Sequence, residues 1–156
     1  MSKKWIGFIA GLGLGACITY VITNYLNSPE PPKETKRYQS YYNMLAKWLE
    51  MEEKGKPVDV LLKEAGYKKI AVYGMGNIGK RLCKVLQNTE IDVEYGIDGQ
   101  IVNDVEDVPV LSLDDVLPEV DAIVVTVPFA YVDIKKKIEE KIDYPVISLE
   151  HIIFEV

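Results

Sequence analysis

Lys69-Ile70-Ala71-Val72-Tyr73-Gly74-Met75-Gly76-Asn77-Ile78-Gly79 reads as a short apolar strand that runs straight into a glycine turn and then a helix. Ile78, Leu82, Val85 and Leu86 follow at helical spacing and mark the side of that helix that should face a sheet. Strand, turn and helix in this order lift a G-x-G-x-x-G pattern above a chance match. Each glycine has an expected task. Gly74 permits the tight turn, Gly76 lets a pyrophosphate approach the backbone, and Gly79 lets helix and strand pack closely. The amides of the first helical turn, around Asn77 and Ile78, would offer N–H groups and a partial positive charge to phosphate. A turn of the same composition can also be purely architectural.

The remaining chain repeats the rhythm. Ile91–Ile97 is a second strand ending in Asp98-Gly99, and Asp98 lies 19 residues beyond Gly79. An acid at that point accepts hydrogen bonds from an adenosine ribose and favours NAD over NADP, although Asp-Gly is also a common turn pair. Val108–Leu111 reads as a third strand, with a helical turn opening at Ser112 or Leu113-Asp114. Ala122–Val127 is a continuous β-branched run of the kind covered on both faces, and Pro128 ends it. Tyr131, Ile134, Ile138 and Ile142 line a following helix, Pro145–Leu149 gives the last strand, and Glu150–Phe154 a terminal turn. The expectation is an α/β fold over residues 67–156, with a five-stranded parallel sheet in the order 3-2-1-4-5. Any ligand would lie beyond the carboxyl ends of strands 1 and 4, beside Thr126 and Pro128. Lys80 and Arg81 are in reach of a phosphate there, or lie on a solvated flank.

Upstream, two helices are expected to pack on this domain within residues 38–66. Tyr38, Tyr41, Tyr42, Leu45, Trp48 and Leu49 fall on one helical face, read here as the packing face. A second short helix starts near Pro57, turns Leu61, Leu62 and Ala65 inward, and stops at Gly66. Residues 27–37, with Asn27-Ser28-Pro29-Glu30-Pro31-Pro32 at their head, read as a stiff spacer.

Trp5 to Leu26 carries no charge and is 22 residues long, enough to cross a hydrocarbon core of roughly 30 Å. A single-pass membrane anchor over residues 1–26 is therefore expected. Lys33, Lys36, Arg37 and Lys47 outnumber Lys3 and Lys4, which leans the domain towards the cytoplasm. Gly7, Gly11, Gly15, Thr19 and Thr23 recur every four residues, a small-residue stripe that suits a homodimer. Leu14-Gly15-Ala16-Cys17 looks like a lipobox, but Ile18–Leu26 stays apolar where a lipoprotein turns polar.

An apolar content of 48 % excludes wholesale disorder. Taking Lys3 and Lys4 from 18 basic residues leaves 16 against 24 acidic ones, so residues 5–156 sum to −8. Such a surface repels nucleic acid, and no nucleic-acid partner is expected. Two cysteines, Cys17 and Cys83, make no disulfide scaffold, and no His, Cys and carboxylate cluster has metal-ligand spacing. His151 is the sole histidine and is read as a surface or packing residue. There is no G-x-S-x-G elbow or P-loop lysine, and no second domain to bring a substrate over a nicotinamide.

Several of these stretches together resemble a group of small bacterial Rossmann-like proteins. They are Tyr41–Leu49, Ile70–Leu82, Tyr95–Asp98, Asp121–Thr126 and Pro145–Glu150. The resemblance covers roughly residues 38–156 and includes versions attached to surface-polysaccharide or glycosyltransferase-type proteins. It implies an NAD(P)- or nucleotide-sugar-binding type of fold without a settled activity, and residues 5–26 depart from its soluble versions. The leading expectation is a membrane-tethered module that binds a nucleotide-type small molecule, NAD first, with NADP or a nucleotide sugar as alternatives. An oxidoreductase or sugar-nucleotide modifier completed by a partner is the second expectation. A ligand-free interaction domain is the third.

Overall fold

The structure is a computed structural model that describes residues 17–20, 22–23, 32–99 and 108–154. The chain divides into two units at Lys33 and Glu34, and the sheet belongs to the second. Of the expected membrane span, residues 17–20, 22 and 23 are described and are helical. Gly7, Gly11 and Gly15 lie outside the described residues. Among the described residues no helix is long and apolar enough to cross a membrane.

Five parallel strands form one sheet in the expected order, β3-β2-β1-β4-β5. They are β1 (Lys69–Tyr73), β2 (Asp92–Ile97), β3 (Val110–Leu111), β4 (Ala122–Val125) and β5 (Val146–Ser148). The helices are α1 (Lys33–Glu53), α2 (Val58–Glu64), α3 (Asn77–Leu86), α4 (Tyr131–Glu139) and α5 (Leu149–Phe154). β1 is central. It pairs Tyr73 with Ile97 on one side and with Val125 on the other, so the carboxyl ends of three strands finish level.

Alternation along the central strands divides the core in two. Ile70, Val72 and Val124 face one layer with Leu61, Leu62, Leu82, Leu86, Leu149 and Ile153. Ala71, Ile123 and Val125 face the other, with Tyr95, Leu113, Val120 and Ile138. The first layer is helical. The second has α4 and the irregular Ser112–Asp121 segment, which opens with the expected turn at Leu113-Asp114. There the Ser112 amide donates to the Asp115 carboxylate over 2.7 Å, which closes the turn without propagating it. Tyr95, buried beneath the segment, donates its hydroxyl to the Pro118 carbonyl at 3.1 Å.

Four strands are shorter than expected: β2 starts at Asp92 and β3 at Val110, and β4 and β5 end early. Thr126 and Val127 leave the sheet after Val125, and Leu149 opens α5 instead of closing β5. α1 begins at Lys33, inside the stretch read as spacer, because a proline just ahead of a first turn obstructs nothing. Its packing face meets expectation only at Trp48, which is buried, and at Tyr41, which packs against the same core. Met44, Trp48 and Met51 are the buried residues, and the Trp48 indole N–H donates to Glu52 at 3.1 Å. Tyr38, Tyr42 and Leu49 are 70 %, 72 % and 62 % exposed. α1 carries apolar residues on two faces, and the sheet takes the face holding the two methionines and the tryptophan.

Candidate functional site

The level ends of β2, β1 and β4 form the floor of a cleft of about 580 Å³, and α1 forms one wall. Gly74, Gly76, Asn77, Ile78, Asp98 and Thr126 all line it, so six of the residues singled out from sequence meet in one place. Gly79 and Pro128 do not line it. Pro128 instead starts the 3₁₀ turn Pro128–Ala130. Lys80 and Arg81 are exposed on α3 and are not part of the lining.

The turn is held from below. Gly74 has φ +93°, and a methyl group there would lie 2.8 Å from Val127 and 2.9 Å from the Thr126 hydroxyl. Both restrict the position to glycine. At Gly79 a methyl group would fall 2.2 Å from the Gly74 carbonyl oxygen, so α3 and the turn touch backbone to backbone. Thr126 is 2 % exposed. Its hydroxyl lies 2.7 Å from the Gly74 carbonyl and 3.1 Å from that of Tyr73, and its single proton is shared between them. Thr126 thus fixes the turn, and its proton is not directed at the cleft.

Gly76 differs from the other two. It caps α3 with φ −72°, no side chain caps the helix there, and a methyl group built on it would meet nothing within 4 Å. The early amides of a helix have no intrahelical acceptor, and here the Lys80 amide makes the first such bond, to the Gly76 carbonyl at 3.0 Å. The helix therefore presents its positive end to an open space.

Asp98 stands on the β2 side. Its carboxylate accepts a hydrogen bond from the Met75 amide at 2.8 Å. Burial, and after it the Asp98 charge, pushes the neighbouring Tyr73 phenol upward. Met75 itself is buried, seated over β2 where Gly96 lacks a side chain. A methyl group at Gly96 would be 2.5 Å from the Met75 sulfur. A glycine inside an apparent strand is the one sequence signal that could have revealed this seat.

The far wall was not foreseen. Arg37, Tyr38, Tyr41 and Leu45 of α1, with Val127 and Phe129, complete the lining. The Arg37 guanidinium lies 5.0 Å from the centre of the Phe129 ring, and Tyr41 meets that ring edge-on at 5.7 Å. Among the described residues no group of His, Cys, Asp and Glu could hold a metal ion. His151 is exposed on α5, away from the cleft lining.

Residues 66–152 match the family model described as C2185-like, N-terminal. The chain belongs to this family. The match begins at Gly66, ahead of β1, and ends within α5, so it covers all five strands. It includes the glycine turn, Asp98 and Phe129 of this C2185-like domain, whereas α1 and its Arg37 lie before it. No curated protein and no solved structure matches the chain.

Proposed function

We propose that this C2185-like domain is a Rossmann-like dinucleotide-binding module, with NAD the preferred ligand. The pyrophosphate lies over Gly74 and Gly76 at the start of α3, and the adenosine ribose meets Asp98. The distal half reaches over the β4 end. The apolar stretch at residues 5–26 tethers the module to a membrane.

The observation that carries this reading is the open space at Gly76. A helix N-terminus without a side-chain cap faces a cleft there, and the position itself has room that an anion can fill. Asp98 lies in the same lining at the end of β2, where an adenosine ribose would reach it, and its carboxylate braces the turn through the Met75 amide. The test is direct binding to the full chain of NAD, NADP, UDP-sugars and coenzyme A. NAD should bind most tightly, and Gly76→Ala should abolish it. Equal weak signals from every ligand in both proteins would make the turn purely architectural.

A further inference from the structure

Among the described residues the cleft lining contains two charged side chains, and they stand apart. Asp98 follows β2 and Arg37 stacks on Phe129 just after β4, with β1 between those strands. Neighbouring strands are about 4.8 Å apart, so the two ends of the cleft are separated by roughly 10 Å across the glycine turn. A dinucleotide spanning the turn from Asp98 brings its distal ring to Arg37. Among the described residues Asp98 is the only carboxylate in the lining, and it sits at the opposite end. Phe129 holds the guanidinium through its ring face, which attracts a cation but leaves its charge in place.

Resting on the dinucleotide reading, we infer that the Arg37–Phe129 corner selects the redox form of the ligand, accepting the reduced nicotinamide and disfavouring the oxidised one. The two forms are close in shape, but the oxidised ring carries a positive charge and the dihydro ring is neutral. A guanidinium beside that ring repels the first. The neutral, electron-rich ring can stack on it. At about 8 Å, an effective dielectric between 80 and 20 makes this repulsion worth roughly two- to thirtyfold in affinity. Arg37 is exposed, which places the effect in the lower part of that range at ordinary salt. No bond is made or broken; the module reads a charge.

The experiment measures dissociation constants of NADH and NAD+ for the full chain, its Arg37→Gln variant and its Arg37→Lys variant. ADP-ribose, which has no nicotinamide, serves as a third ligand. The NADH preference is the quantity to follow, because anything Arg37 gives to both forms cancels in the ratio. NADH should bind several-fold more tightly to the wild type, and the ratio should fall towards one in Arg37→Gln. Arg37→Lys should keep part of it, and added salt should shrink it. Equal affinity for both forms in the wild type, or a preference that survives in Arg37→Gln, overturns this inference while the dinucleotide reading stands. Absence of binding by all three ligands, ADP-ribose included, overturns the dinucleotide reading and this inference with it.

Discussion

The amide of Met75 donates to the carboxylate of Asp98 across 2.8 Å, so the residue that follows β2 holds the glycine turn that follows β1. Asp98 therefore has a structural task whether or not a ribose is bound. Two substitutions separate the tasks. Asp98→Asn keeps an acceptor for Met75 and removes the charge, whereas Asp98→Ala removes both. If Asp98 also holds a ribose, Asn should weaken NAD by roughly 1.5–3 kcal/mol, the scale of a hydrogen bond to a charged group, with little change in melting temperature. Ala should lower both. Undiminished affinity in Asp98→Asn would restrict Asp98 to bracing the turn.

The three glycines of the turn should respond differently to one added methyl group. Gly76→Ala meets open space and should leave the melting temperature within a degree or so of the parent while removing ligand binding. Gly79→Ala drives a methyl group against the Gly74 carbonyl, and Gly74→Ala combines crowding with a left-handed backbone. Each of these should cost about 1–3 kcal/mol or more in chemical denaturation. A Gly76→Ala protein as unstable as Gly79→Ala would contradict the open space at that position.

Met75 and Gly96 form a seat and its occupant, which predicts non-additivity. Gly96→Ala alone should lose about 1–3 kcal/mol by overpacking. Met75→Ala alone should lose about 2–5 kcal/mol by leaving a cavity. Combined, the two changes should lose clearly less than the sum, since the alanine at 96 then faces the space Met75 has vacated. Simple additivity in urea titrations would mean that the two residues are not coupled.

Tyr95 gives a prediction in alkali. Burial is the main cause that pushes its phenol up from the ordinary 10.0 to about 12. A raised value means that the fold favours the protonated form. Its contribution is complete below about pH 10 and is lost as pH rises towards about 12. The part of the phenolate absorbance that Tyr95→Phe removes should develop together with the change in circular dichroism in that window. Tyr95→Phe should flatten this loss, at a cost near 1 kcal/mol at neutral pH for the missing bond to Pro118.

The tether can be tested by fractionation. The full chain should remain with membranes after alkaline and high-salt washing, as expected of a chain inserted through residues 5–26. Release into the soluble fraction by either wash would rule out insertion.

Much of the sheet was legible because its signals are local. The β-branched run at Ala122–Val125 and the spacing of strands and helices around the glycine turn lead to the strand order that is found. The α1 face was legible only at Tyr41 and Trp48. Met44, Trp48 and Met51 interleave with Tyr38, Tyr42, Leu45 and Leu49, and helical period alone cannot choose between two apolar faces. The residues lining the cleft from Gly74 to Ile78 come from one continuous motif, and six of the eight expected site residues converge. Arg37 and Phe129 escaped because neither has a motif. Only the packing of α1 beside the β4 end brings a cation near the beginning of the domain onto a ring near its end. The turn expected at Ser112 or Leu113-Asp114 is found, and it stops there because Ser and Asp make local bonds that close the chain on itself.

The unequal covering of the sheet sets the order in which the domain can come apart. One face lies under several helices, whereas the β3 corner of the other is covered by an irregular segment fastened through Tyr95. β3 has two residues, and among the described residues its ladder joins it to β2 alone. Amide protons there should exchange with solvent by a small local opening, while those of β1 and β4 should wait for global unfolding. The glycine turn is rooted in those two slow strands through Thr126, whereas its brace at Asp98 gives its own amide to the Leu111 carbonyl of β3 at 3.4 Å, so breathing at the sheet's thin corner reaches the turn through that brace alone.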